Sequence, residues 1–320
     1  MTQTATRMHD LAGAGVEAPG PRRDSRRASG TLPVPVWGLL VPFLLFFAAT
    51  YIVPIIYTVV KSLYSEKSGG GLGLGAPKTV FAGFDNYLKV FASADFWEGM
   101  GRVLLFGIIQ VPFMVVFALL LSLVLDSIKH KVKGFFQFAF FLPYAVPGVI
   151  AALLWAYLYV PQLSPVVQGL TSIGIPADFL APGTLLFSMA NITTWCWTGY
   201  NMIILISALQ AIPTDQYEAA RLDGANEWQI ATKIKVPNLR GAIGLTVLMS
   251  IVGTIQLFNE PTIIKTVSSN IDSNYVPMMM AYNTAFTAGD TGYSGAIAIT
   301  MSMVAGILVY IYYRLSTRKD

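Results

Sequence analysis

The sequence predicts an all-α membrane protein with six transmembrane helices. Of its 320 residues, 54% are hydrophobic and 12% charged, against about 25% charged in a soluble globular domain. Such a chain cannot hide its apolar side chains in one water-soluble core, so many must face lipid. The apolar residues fall in continuous runs rather than alternating, which is the pattern of helices and not of a β-barrel. Lys and Arg gather at the ends of those runs. The net charge of +4 therefore reads as an orientation signal and not as a nucleic-acid footprint.

Residues 1–35 are rich in Ala, Gly, Pro, Arg and Asp and poor in large apolar residues, which predicts a disordered cytosolic tail. The first apolar run starts too late for an ordinary signal peptide and has no small-residue cleavage site behind it. Six runs are long enough to cross a bilayer: residues 36–60, 103–125, 138–160, 185–212, 243–264 and 292–313, within a permease domain of 36–316 and ahead of a short tail of 317–320. With both termini in the cytoplasm, fifteen of the 21 Lys and Arg residues are cytosolic and six external. The positive-inside rule therefore places both termini inside a multi-pass cell-membrane protein. Trp37, Tyr64, Tyr157, Tyr159, Tyr310, Tyr312 and Tyr313 suit interfacial belts.

The first external loop opens with a glycine-rich stretch, Gly69 to Gly75, expected to be flexible. A more structured segment follows from Phe84 to Trp97 and can form a short helix on the membrane surface. The glycines are no phosphate loop, since neither Lys-Ser nor Lys-Thr follows them. Without a Walker-type sequence, any ATP chemistry must lie on another chain. The single cysteine, Cys196, excludes an intrachain disulfide and reads as a small buried residue. His9 and His130, both outside the spans, exclude a His-rich metal site. Met278, Met279 and Met280 read as adaptable packing. No cofactor is expected.

The cytosolic segment 213–242 carries the clearest local code. Asp215 followed by Glu218 looks like a capping box. Good helix formers run to Leu222, and Gly224 supplies a stop. Asn226 can cap a second helix, Glu227 to Ile234, with Gln229 at the box position. Pro237 is expected to block continuation. The outcome is two short helices at an angle. Ala219 and Ala220 permit close approach, and Arg221 and Asp223 can set register by charge. The pair can plug a groove on a partner, or it can merely cap the bundle.

Here the chain resembles a known family. Glu218-Ala219-Ala220, then Gly224, Ile234 and Val236-Pro237 are similar to the EAA loop of binding-protein-dependent ABC importer permeases, with Val236 where Leu is usual. Gly83-Phe84-Asp85-Asn86-Tyr87, Phe141-Leu142-Pro143, Leu209-Gln210-Ala211-Ile212-Pro213 and Asp223-Gly224-Ala225 look like stretches of carbohydrate permeases, as does Gly292-Tyr293-Ser294-Gly295-Ala296. The resemblance runs from about Val36 to the C-terminus and is to the maltose-type first permease. It departs at Thr266 to Asn270, where many relatives carry a Gly-Gly-Pro turn. It implies a MetI-like fold with a coupling helix around Glu218 to Gly224. It also implies a second permease subunit, a dimeric ATP-binding cassette ATPase, an extracytoplasmic sugar-binding protein and a sugar substrate, with no catalysis on this chain.

A sugar path needs aromatic faces and amide or carboxyl groups, and polar groups within a span usually face a cavity. The candidates are Asn191, Trp195, Trp197, Tyr200 and Asn201 in the fourth span. Gln256, Asn259 and Glu260 follow in the fifth, and Tyr282 and Asn283 lie before the sixth. Gln256 and Glu260, four apart, are expected on one helix face, with a helix break at Pro261. Each has a plainer reading: tryptophans anchor or pack, and amides bond neighbouring helices. Glu260 can bind a hydroxyl, cap a broken helix or simply be wet. A secondary ion-coupled transporter using Glu260 is the competing reading, weakened by the lack of an internal repeat.

Overall fold

A computed structural model describes residues 34–69, 75–128 and 132–317. The tail 1–33, the middle of the glycine-rich stretch and residues 318–320 lie outside the described residues. The chain divides into two units, one ending at Val53 and the other starting at Pro54.

The described part of the first unit is α1 (Val34–Phe47) followed by a π turn, Ala48–Ile52. Its apolar side chains, among them Phe43, Leu45, Phe46 and Tyr51, are exposed, as lipid contact requires. The second unit begins in α2 (Val53–Ser62). A hairpin of β1 (Tyr64–Gly69) and β2 (Gly75–Phe81) comes next, pairing antiparallel with Tyr64 opposite Phe81. Gly69 and Gly75, at the two ends of the glycine-rich stretch, face each other across this hairpin. A short helix follows within the segment expected to form one, α3 (Asp85–Ala92).

Then come α4 (Ala94–Ser127), α5 (Val132–Ala145), α6 (Gly148–Tyr159), α7 (Pro165–Ser172) and α8 (Leu185–Gln210). The segment after α8 holds α9 (Asp215–Leu222), α10 (Glu227–Ile230), a π turn at Ala231–Lys235 and α11 (Val236–Asn238). The chain closes with α12 (Arg240–Ile255), α13 (Asn259–Ile264), α14 (Pro277–Phe286) and α15 (Thr291–Thr317).

Among the described residues, four helices are long and apolar enough to cross a membrane alone. Two bent pairs raise the number to six: α5 with α6, bent by 92°, and α10–α11 with α12, bent by 62°. Neither bend shows in the hydropathy pattern. The first falls at Val146-Pro147, where a proline without an N–H precedes Gly148.

Two π turns share one cause. Each ends just before a Val-Pro step, Val53-Pro54 and Val236-Pro237. In each, the valine N–H reaches five residues back, to the Ala48 and Ala231 carbonyls. The wider turn makes room for the proline ring, which would otherwise strike the carbonyl four residues earlier. Pro237 therefore does not end the helix as expected; the chain stays helical through Asn238.

The core is centred on α4 and α8. Phe96, Met100, Val103 and Phe106 of α4 meet Leu185, Met189 and Ile192 of α8, while Ala118 and Leu125 meet Met202 and Leu205 further along. Lipid tails are as apolar as leucine, so such contacts are held by close packing rather than by a hydrophobic drive. Close approach is most evident at Gly199, where a Cβ would collide with the Phe140 carbonyl of α5. At the hairpin end, Asn86 is fully buried and donates to the carbonyls of Ser62 at 2.9 Å and Tyr64 at 2.8 Å. These bonds hold α3 against the hairpin base.

Candidate functional site

Two features stand out: a cavity inside the bundle lined by both polar and apolar side chains, and the helix pair between α8 and α12. The cavity measures about 280 Å³ and is walled by α4, α8, α12 and the start of α13. Of the residues selected from the sequence, Trp197, Tyr200, Asn201, Gln256, Asn259 and Glu260 line it. Tyr200 and Trp197 pack edge to face at 5.8 Å, and Tyr144 of α5 stacks on Tyr200 at 4.8 Å. The Asn201 amide donates to the Trp197 carbonyl at 3.0 Å, which fixes its rotamer. Glu260 accepts from the Thr193 hydroxyl at 3.3 Å.

The route by which Gln256 and Glu260 meet differs from the expected shared helix face. The helix breaks at Gln256 to Phe258, three to five residues before Pro261. Pro261 sits in the first turn of α13, where a missing N–H costs nothing because that donor has no intrahelical partner. Gln256 caps the end of α12 while Asn259 and Glu260 open α13, so the break itself gathers the three polar groups around the cavity.

The other four candidates lie elsewhere. Asn191 donates to the Tyr159 hydroxyl at 3.0 Å. Trp195 packs edge to face on Trp155 at 5.9 Å within the main core. Tyr282 joins Phe258 and Phe286 around a second, mostly apolar hollow. The Asn283 amide donates to the Ser273 carbonyl. Sequence reading missed the α4 wall of Phe106, Gln110 and Met114, and also Thr193, Ser250 and Thr254. Gln110 was detectable in principle as a lone amide in an otherwise apolar span, and it is buried.

The helix pair is built by local rules. Gly224 has φ of +82°. The Ala225 N–H reaches the Ala220 carbonyl at 2.9 Å while the Gly224 N–H reaches Arg221 at 3.0 Å, a Schellman end that only glycine forms without strain. Asn226 and Gln229 form a full capping box, at 2.8 and 2.9 Å. Asp215 does not cap the first helix: Thr214 holds that position without a side-chain bond. Asp215 and Glu218 lie in the first turn instead, where negative charge suits the helix dipole. Arg221 pairs with Glu227 at 2.9 Å, bracing one helix on the other. Leu222 is 90% exposed and Trp228 74% exposed, so the elbow presents two large apolar side chains.

This elbow is tied to the bundle through Asp126 at the end of α4. Lys235 binds it at 2.7 Å with side-chain exposures of 9% and 18%, and Lys133 stands at 3.7 Å on the other oxygen. The Lys235 ammonium also lies 5.2 Å from the Tyr217 ring centroid. Burial pushes the Tyr217 phenol up, and the Asp126 charge adds to it, so the ring stays neutral beneath the lysine. Breaking the pair should cost about 1–3 kcal/mol, between an exposed and a fully buried bridge. Asp126→Ala is therefore expected to lower the melting temperature of the detergent-solubilised protein. Adding Lys235→Met should recover part of the loss. A double mutant as unstable as the sum of the singles would show that the two groups are uncoupled.

Residues 114–319 match the family model of the binding-protein-dependent transport system inner membrane component. The chain belongs to that family. It is thus a non-catalytic permease subunit of the inner membrane, serving a system that depends on a binding protein. Membership removes the ion-coupled alternative. The permease is 32% identical to the probable ABC transporter permease protein YurN of Bacillus subtilis over 270 residues, 83% of this chain and 90% of that one. It is 28% identical to the lactose transport system permease protein LacF of Rhizobium radiobacter, covering 88% and 94%. Among solved structures it superposes on a chain of a bacterial ABC transporter that imports the acidic polysaccharide alginate. The TM-score is 0.75 at 21% identity, over 89% of this chain and 95% of that one, a likeness of fold.

Proposed function

We propose that this permease forms half of the translocation path of an ATP-driven sugar importer, with a second permease subunit forming the other half. Both termini, including the tail 1–35, lie in the cytoplasm. The segment 213–242 faces the same side and docks into a separate dimeric ATPase through Glu218, Ala219, Ala220, Arg221, Asp223 and Gly224, with Pro237 at its far end. The observation that carries this reading is the exposed elbow between two membrane helices, a rigid pair that displays Leu222 and Trp228 to solvent. A rigid plug transmits displacement without losing it to internal bending, and burying two large apolar side chains on a partner gives the contact its strength.

A sugar fits the cavity. Trp197, Tyr200 and Phe106 offer flat faces, and Gln110, Gln256, Asn259 and Glu260 offer hydroxyl partners. The names of relatives point the same way, to lactose for LacF and to trehalose for the SugA permease of Mycobacterium tuberculosis.

The test is a disulfide crosslink. Cys196 is buried, so a cysteine introduced at Leu222 is the accessible thiol. Within the assembled transporter it should crosslink to a cysteine in a surface groove of the ATPase, and ATP turnover should then stop until the bond is reduced. Labelling of that cysteine by a membrane-impermeant reagent from outside the cell would sink the assignment.

A further inference from the structure

We propose that Glu260 makes this path selective for uncharged sugars over uronates, an inference that rests on the sugar-importer reading above. Of the residues lining the cavity, one is a carboxylic acid, Glu260. None of the residues lining it is Lys, Arg or His. Among the described residues Glu260 makes no ion pair; its carboxylate accepts from the Thr193 hydroxyl. The remaining polar wall is neutral: Gln110, Asn201, Gln256, Asn259, Ser250 and Thr254.

The chemistry of such a wall is one-sided. A neutral sugar brings hydroxyls, which the amides and the carboxyl satisfy as donors or acceptors. A uronate brings a carboxylate, which loses its water on entry and meets no cation on this chain's wall to replace it. With Glu260 ionised the uronate is also repelled. With Glu260 protonated this half of the site still offers no cation, so its contribution keeps the same direction in either form.

The experiment uses the complete importer in nanodiscs without its binding protein, so that the permease alone sets the preference. Saturation-transfer NMR measures binding of maltose, cellobiose and trehalose and of their 6-carboxylate analogues. At least one neutral sugar should bind, and its carboxylate analogue should bind roughly tenfold or more weakly. Glu260→Lys should close or invert that gap. Glu260→Gln, which keeps the shape, should narrow it in the same direction. A carboxylate analogue that binds wild type as well as its parent, or a gap unmoved in both variants, overturns the selectivity while leaving the importer reading intact. If neither class of sugar binds and a different class of solute does, the sugar reading falls and this inference with it.

Discussion

Gly224→Asp should abolish uptake while the permease still inserts and folds. The separation of the two effects follows from the geometry. Gly224 has φ of +82°, a region that costs an ordinary L-residue roughly 1–2 kcal/mol and that aspartate tolerates better than most. No atom lies within 4 Å of where its Cβ would stand, so no steric term adds to that cost. A penalty of that size is small beside a typical folding stability of about 5–15 kcal/mol. The added side chain instead projects from the elbow beside Asp223, bringing bulk and a second negative charge to the surface proposed to enter the ATPase. Uptake into proteoliposomes should fall below about a tenth of wild type. Stimulation of the ATPase by the loaded binding protein should vanish with it, while the melting temperature moves by only a few degrees. Gly224→Ala, with a backbone penalty at least as large but little bulk and no charge, should keep much of the uptake. If the aspartate variant transports and couples normally, the elbow is not the docking surface.

The elbow was legible because its rules are local. A glycine stop at Gly224 and a box at Asn226 and Gln229 act over a few residues, and each appears where the sequence puts it. The cavity was only half legible, for a different reason. Polar residues in a span announce that they face something, but not what. Asn201 and Asn191 carry the same amide on the same helix; one lines the cavity, while the other bonds the Tyr159 hydroxyl. Helix rotation decides between them, and rotation is set by neighbours such as α4, whose Gln110 and Met114 form the opposite wall. The break at Gln256 to Phe258 was hidden because no breaker residue marks it; the nearby Pro261 drew the expected break downstream, to a position where proline is harmless. The hairpin was hidden because its two strands flank a glycine-rich sequence, a composition equally suited to a flexible loop.

The other large effect concerns the α5–α8 contact. Gly199→Leu should prevent the bundle from closing. A Cβ at Gly199 would overlap the Phe140 carbonyl oxygen, stand 2.7 Å from its carbon and 2.8 Å from the Phe141 Cα. All three are backbone atoms, which cannot swing aside as a flexible side chain can. Even Gly199→Ala therefore forces one helix away from the other, and leucine forces it further. The displacement would not stay local. Tyr144 of α5 stacks on Tyr200 and meets Trp197 at 5.2 Å, so moving α5 unseats the two aromatic faces of the cavity. Overpacking of this kind costs about 1–3 kcal/mol where neighbours can adapt and more where they cannot. Gly199→Ala is expected to be expressed at reduced level with a lowered melting temperature, and Gly199→Leu to be degraded or aggregated before purification. The same substitutions at Gly241, where nothing stands within 4 Å of an added Cβ, should leave expression near wild type. That contrast separates a steric clash from a general intolerance of larger residues in a membrane helix. Equal expression of the leucine variants at the two sites would mean that α5 and α8 do not approach backbone to backbone, and the cavity built on their contact would have to be redrawn.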